Sequence, residues 1–418
     1  MSDTGGGNIS KLTVGGTDIK GIFYMLEYFE SINSPTISAN ITLNDASGTE
    51  MKVGDDVEIS FGDRANGSGI NVKMKSLIVG DRVRVKENQD MFLMTCASSE
   101  FADNNKKAVS KAYKDKKISD MVKDWHEEYT KESTTLKKSL VDNEDTEGNA
   151  AYHGTGKGPI SAIRWGAKEA KSAKAKASNY VYYQDRDGYY FKTLDAMLAG
   201  GGSPVELSYS SQNIGDAGGT DDSKKIIAFD QKKDFDKMEA SYNGAESDHW
   251  YYYDPTVGKI DSPPKGKRDG AGDTTHTGSD KITKDSKSAI GERFNFVVAP
   301  GQAKSKFRDS RDPKISENKR NIAEHAAQSS AANQLDNMIM TIRVPGNTSY
   351  KPGSKVKLNI PGNSEGRELD KRSGTYLVTQ VRHVIYKDDK DLKYEVIMEC
   401  KSDSKNKSSS SGNSGVAK

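Results

Sequence analysis

Residues 41–61 read ITLNDASGTEMKVGDDVEISF and residues 340–360 read MTIRVPGNTSYKPGSKVKLNI. Laid side by side without a gap, Thr42 meets Thr341, Leu43 meets Ile342, Thr49 meets Thr348, Lys52 meets Lys351, Gly54 meets Gly353 and Val57 meets Val356. Both copies read as strand, polar turn, K-x-G, strand. Working outward, each continues into two further strand-like runs, residues 72–79 and 91–96 in the first copy and 376–386 and 394–400 in the second. A short insertion in the second copy brings Phe92, Met94 and Cys96 opposite Val396, Met398 and Cys400. Alternation is clear there: Tyr394, Val396, Met398 and Cys400 share one face while Glu395 and Glu399 point the other way. The glycine and the strand order recur together, which points to an internal duplication.

Each copy is a short meander with one apolar face to cover. Closing the sheet into a small barrel covers that face and removes the exposed edges. Gly54 and Gly353 let the chain turn tightly before a strand. Gly188 and Gly374 complete the set of signature turns, one closing Asp185-Arg186-Asp187-Gly188 and the other opening GTYLVTQVRHVIY. Cys96 and Cys400 fall at matching strand ends in different barrels, which predicts small buried hydrophobes and not a redox pair.

Between the copies the pattern changes. ISDMVKDWHEEY places Ile118, Met121, Val122, Trp125 and Tyr129 on one helical face, with the adjoining His126 on its solvated edge. A polar loop is expected from there to about Lys157. A helix is expected over residues 158–177, with Pro159 in its first turn and alanines favouring its continuation. NYVYYQDRDGYYF reads as a hairpin around Asp185-Arg186-Asp187-Gly188. IIAFD, MEASYNG and HWYYYDP, within residues 226–253, read as β-rich, with the Trp250 to Tyr253 aromatics serving core or subunit contact. Residues 254–292 read as a long exposed loop, residues 317–334 as a polar helix, and the Ser/Lys-rich end as a low-complexity tail.

The fold class predicted is therefore α+β and β-rich, with two related small β-barrel (tube-like) domains, an α/β insert and polar loop insertions. The division expected is a first barrel over 9–100, the insert over 101–198, a second barrel assembled from 199–253 and 317–402, a polar insertion over 254–316, and a disordered tail over 403–418.

Composition narrows the function. Hydrophobic residues make up 33% and charged residues 29% of 418, so polar segments must lie outside the packed cores. With 62 basic and 60 acidic residues the net charge is +2, which gives no sign of a generally basic nucleic-acid-binding surface. Two cysteines do not make a disulfide framework, and a reducing compartment is expected. The polar N-terminus carries no signal-like apolar run, and no segment is long and apolar enough for a membrane helix.

A search for chemistry returns no catalytic, cofactor-binding or metal residues. The six histidines lack the H-E-x-x-H arrangement of a zinc site. G-x-S-x-G and the phosphate-loop motif are absent, and the GTGKG run at 154–158 lacks a preceding apolar strand, so it reads as a flexible turn. Asp185, Asp187 and Gly188 begin like a calcium loop, but the following YYF cannot supply the later oxygen ligands.

The order of these parts resembles the baseplate central hub of T-even-like contractile-tailed phages, a fold shared with late-control tail proteins and the N-terminal part of type VI secretion spikes. The resemblance rests on IFYMLEYFESINSPTISANITLND, on residues 159–198, and on residues 340–400, together more than half of the chain. The long polar segments at 130–157 and 254–292 depart from it. The resemblance implies a non-enzymatic homotrimeric ring without cofactors. It would join a sixfold tail tube, or its initiator protein, to a threefold central spike carried on a separate chain. Other baseplate proteins would contact it, and DNA would pass through without specific binding. It also implies a place in the virion after assembly in the host cytoplasm. Two other readings stand beside it: the hub of a secretion-system or phage-like injection particle, and a cell-wall hydrolase, since 60 acids place some carboxylates together by accident.

Overall fold

A computed structural model describes residues 6–46, 48–63, 69–86, 89–174, 179–200, 202–209, 224–234, 248–254, 259–261, 277, 293–298, 335–336, 338–362, 370–388 and 391–404. The first module comprises β1 (Gly7–Val14), β2 (Thr17–Asp18), β3 (Phe23–Ser31), β4 (Ser38–Asp45), β5 (Asp56–Asp63), β6 (Gly69–Val79), β7 (Val83–Lys86) and β8 (Gln89–Ala97). Its strand order is β3-β4-β8-β6-β5-β1-β2, with β7 continuing along β8 beyond the end of β6. Alternation explains the choice of strand. In β4 the residues Ala39, Ile41 and Leu43 are fully buried and their neighbours are not. Each such aliphatic side chain contributes about 1.5–3 kcal/mol on leaving water.

The insert follows, with α1 (Ser99–Asp103), β9 (Val109–Lys116), α2 (Ile118–Thr130), β10 (Leu140–Asn143), β11 (Ala150–Lys157), α3 (Pro159–Glu169), β12 (Tyr180–Asp185), β13 (Gly188–Thr193) and α4 (Leu194–Ala199). Ile118, Met121, Val122, Trp125 and Tyr129 of α2 are all buried, and with α3 and β12–β13 they form a core separate from that of the large sheet. The β12–β13 hairpin turns where the sequence places it, Asp185 pairing with Gly188.

Three expectations fail in the insert. The segment to Lys157 is not a plain loop: β10 lies parallel to β13, and β11 pairs antiparallel with β9. The GTGKG run thus lies largely in a strand. The helix from Pro159 ends at Glu169, because Ala170 is buried in an extended conformation. Beyond it, Lys171 and Ala173 hydrogen-bond to Glu147 and Asp145, so the chain leaves the helix to lie along that segment. His126 is 4% exposed and belongs to the interior, not to a solvated edge.

The remaining strands are β14 (Val205–Tyr209), β15 (Lys225–Ile226), β16 (Ala228–Lys233), β17 (Asp248–Asp254), β18 (Lys259–Asp261), β19 (Arg293–Val298), β20 (Met338–Pro345), β21 (Lys355–Asn359), β22 (Gly374–Asp388) and β23 (Asp391–Ser402). β17, β18 and β19 form a small sheet, so the region read as a polar insertion contains two short strands. MEASYNG, the helix expected over 317–334 and the tail from 405 onward lie outside the described residues.

The duplication is visible in the pairing. β4-β8-β6-β5 in the first module and β20-β23-β22-β21 in the second have the same order and are antiparallel throughout. Gly54 N–H donates to Ser76 O at 2.8 Å, and Gly353 N–H donates to Val378 O at 2.8 Å. Ser76 pairs with Cys96 and Val378 with Cys400, and a β-bulge follows at once in each, between Ser76 and Ile78 and between Val378 and Gln380. Turn, partner strand and bulge all recur. One detail of the ungapped alignment is corrected. Ala39 pairs with Cys96 and Met340 with Cys400, so Ala39 corresponds to Met340 and the first strand slips by two residues. An even slip keeps every side chain on its face, so alternation cannot reveal it.

The two modules are not separate closed barrels. β22 spans Gly374–Asp388, and beyond its bulge it pairs along Gln380–Tyr386 with Met25–Ser31 of β3. One 15-stranded sheet with a common core results. The physical reason is edge satisfaction. The strand edges that two barrels would hide by closing are satisfied by joining module to module.

Candidate functional site

The hairpin turn that closes β12 and β13 reaches out of the insert into the large sheet. Asp185 Oδ1 accepts the backbone N–H groups of Asp187 at 2.7 Å and Gly188 at 3.2 Å, a local bonding pattern that aspartate favours in turns. This projects Arg186 into a closed space between β3, β22 and the loop after β20. Its backbone N–H, Nε and Nη2 donate to the Glu30 carboxylate at 2.9, 3.0 and 2.8 Å. The guanidinium also caps the carbonyl oxygens of Thr348 and, at 2.5 Å, Tyr350. Tyr28 donates its hydroxyl to Glu30 at 2.9 Å. Glu30 is 1% exposed and His383 fully buried.

His383 completes the junction. Its Nε2 stands 3.1 Å from Arg186 Nη2, and its Nδ1 stands 2.8 Å from the Tyr394 hydroxyl. A guanidinium cannot accept a hydrogen bond, so Nε2 must be the acceptor and Nδ1 carries the proton. The ring is therefore neutral, and burial, reinforced by the Arg186 charge, holds its pKa well below the ordinary value. Burial also opposes the charge on Arg186, but attraction to and hydrogen bonding with Glu30 outweigh it, and its pKa is raised.

A neighbouring network ties the same hairpin to the first module. Gln184 Oε1 accepts from Ile37 N–H at 3.1 Å, and its Nε2 donates to Glu100 at 3.3 Å. Glu100 also accepts from Ser133 at 2.7 Å, Thr135 at 2.6 Å and Tyr189. His126 sits beside it, bonded to the Tyr182 hydroxyl at 2.8 Å and to Lys138 O at 2.9 Å. The charged centres of both networks are buried, with Glu30 and Glu100 each 1% exposed. The two networks fix the insert against both copies of the repeat.

The four signature glycines all have positive φ: 95° at Gly54, 142° at Gly188, 78° at Gly353 and 147° at Gly374. They do not form one site. Gly353 packs beneath the insert, where an added Cβ would stand 3.1 Å from the Tyr183 hydroxyl, and Lys351 pairs with Asp187. Gly54 has the same turn but faces open space. At Gly188 a Cβ would meet Ser139 O at 2.6 Å. Cys96 and Cys400 are free and buried, and burial raises both thiol pKa values, that of Cys96 to about 12. Sequence reasoning missed Arg186, Glu30 and His383 as a group. No local signal set Arg186 apart, since Asp185 and Asp187 flank it in the same turn.

No protein-family model matches the sequence, and no curated protein matches it. Solved structures do. A tail protein from Neisseria meningitidis MC58 is 13% identical with a TM-score of 0.54, over 95% of this chain and 97% of that one. The 43 kDa tail protein of prophage MuSo2 from Shewanella oneidensis is 9% identical with a TM-score of 0.56, over 94% and 98%. A component of the Escherichia coli type VI secretion system, described as similar to T4 bacteriophage tail proteins, gives 8% and 0.47 over 94% and 76%. The fold is that of phage tail proteins along nearly the whole chain, as the resemblance implied.

Proposed function

We propose that this chain is a structural baseplate hub subunit of a contractile phage tail. Three copies form a ring that joins the sixfold tail tube, or its initiator, to a threefold central spike. The observation that carries this reading is the duplicated four-strand module with its repeated turn and bulge. A threefold ring built from chains that each hold two such modules offers six similar units, so one ring can face sixfold symmetry on one side and threefold on the other. The role is mechanical and not enzymatic. The buried networks fix the insert to both modules, as a load-bearing adaptor needs. DNA crosses the ring without base recognition, other baseplate proteins bind its outer surfaces, and the chain resides in the virion tail.

Deleting the gene tests this. Particles made without the chain are expected to lack the joint between tube and spike and to be unable to deliver DNA, with both restored by the chain supplied in trans. Complete, infectious tails formed in its absence overturn the proposal.

A further inference from the structure

The two modules meet inside the chain through one joint. The edge of β22 at Gln380–Tyr386 pairs with the edge of β3 at Met25–Ser31, in a register that sets Ile385 against Leu26 and Tyr386 against Met25. Each side of that joint has a counterpart in the other module. The β22–β23 hairpin corresponds to the arm formed by β6, β7 and β8. Val378–Cys400 matches Ser76–Cys96 near the base and Val381–Met398 matches Val79–Met94 above it, so that, counted along β8 and β23, Val83–Met91 matches Val384–Glu395. β3 pairs with the first strand of its module, β4, and β16 pairs in the same sense with the first strand of the second, β20. Tyr28 faces Ala39 and Gln231 faces Met340, so Tyr28 corresponds to Gln231 and Met25 to Ala228.

The occupied edges in one module are the open edges in the other. Among the described residues β7 pairs with β8 alone and β16 with β20 alone. The open arm edge carries Ile78, Val83 and Val85, which are 60%, 63% and 53% exposed. Apolar side chains on an unpaired edge are a template for pairing with another chain, and folded proteins normally cover or charge such edges. The open edge of β16 at Ala228–Gln231 is the part missing from that arm.

We infer that a second copy of this chain covers the arm, the β6–β7 edge of one subunit pairing antiparallel with β16 of the next and repeating between chains the joint that β22 and β3 make within one. Carried across through the strand pairings, Met91 matching Glu395 and Glu27 matching Asp230, the register sets Val83 against Asp230 and Arg84 against Phe229. Such a contact joins unlike surfaces head to tail, and it forms a ring where the rotation from chain to chain closes. The number of chains in that ring rests on the trimer proposed above; the edges that meet do not.

Paired cysteines test the joint in the full-length chain. Val83→Cys with Asp230→Cys, both at exposed positions, is expected to give disulfide-linked species on mild oxidation, ending in a covalent trimer. Val85→Cys with Ala228→Cys, the next exposed pair on the same face, serves as a second pair should the first disturb folding. Each single variant, and Val53→Cys with Ala228→Cys, should give no such ladder. Native mass spectrometry of the unmodified protein separates the two ideas. A trimer without cross-links from either pair overturns the joint and leaves the ring standing. Cross-linked rings of another size support the joint and overturn the trimer. A chain that stays monomeric and uncross-linked overturns both.

Discussion

Replacing Arg186 by alanine removes one side chain and strands several buried partners at once. Glu30 loses its Nε and Nη2 donors and keeps the Tyr28 hydroxyl and the Arg186 backbone N–H. Two carbonyl oxygens, on Thr348 and Tyr350, lose their cap, and His383 Nε2 loses its donor. Breaking a buried ion pair from one side costs about 3–5 kcal/mol, because the remaining charge cannot be resolvated. Each carbonyl that gives up its guanidinium donor adds up to about 1 kcal/mol. The total expected is about 4–6 kcal/mol, a large share of the roughly 5–15 kcal/mol by which folded proteins are stable. Denaturant titration followed by intrinsic fluorescence measures it. Glu30→Gln with Arg186→Met should recover part of the loss, since no lone buried charge remains, while the uncapped carbonyls keep the double variant below wild type. Hydrogen exchange should rise together at residues 346–350 and 183–190. An Arg186→Ala protein within 1 kcal/mol of wild type would refute the idea that this junction fastens the insert to the sheet.

Three further outcomes follow from the same cluster. His383 has a folded pKa well below 6.5, so the unfolded chain binds a proton below that pH which the folded chain refuses. Its stability contribution is full above about pH 6.5 and falls by about 1.4 kcal/mol per unit as pH drops; His383→Gln should flatten that slope in denaturant titrations between pH 4.5 and 6.5, and an unchanged slope counts against it. Asp185 is raised to about 6, first by burial and then by Glu30, so stability is lost as pH climbs from about 4 to about 6. Asp185→Asn keeps the acceptor for the turn and should gain about 2–3 kcal/mol at pH 7 but little at pH 4, read from thermal melts at both values. Gly188→Ala must hold a Cβ at positive φ against Ser139 O, which should cost about 2–3 kcal/mol and show as a lowered melting temperature; a wild-type melt would mean that the hairpin adjusts freely.

Much of the fold could be read from residues whose effect is local. Alternation in Tyr394–Cys400 announced a strand, the spacing of Ile118, Met121, Val122, Trp125 and Tyr129 a helix, and Asp185-Arg186-Asp187-Gly188 a turn. The K-x-G turns at Gly54 and Gly353 were legible because positive φ restricts residue choice. Features that depend on remote partners were not. That β22 outgrows its module and pairs with β3 leaves no mark in either strand, since the backbone supplies the bonds. The polar run AAYHGTGK is held as a strand by β9, and its own composition argues for a loop. Arg186 looked like one more charged turn residue because Glu30 and His383 lie far away in the sequence.

Symmetry-averaged density of the assembled particle at the tip of its tail tube tests the hub reading most directly. The expected map holds three copies of this chain in one ring between tube and spike, its six four-strand modules around a common channel. A single copy, or copies placed away from the end of the tube, would contradict it.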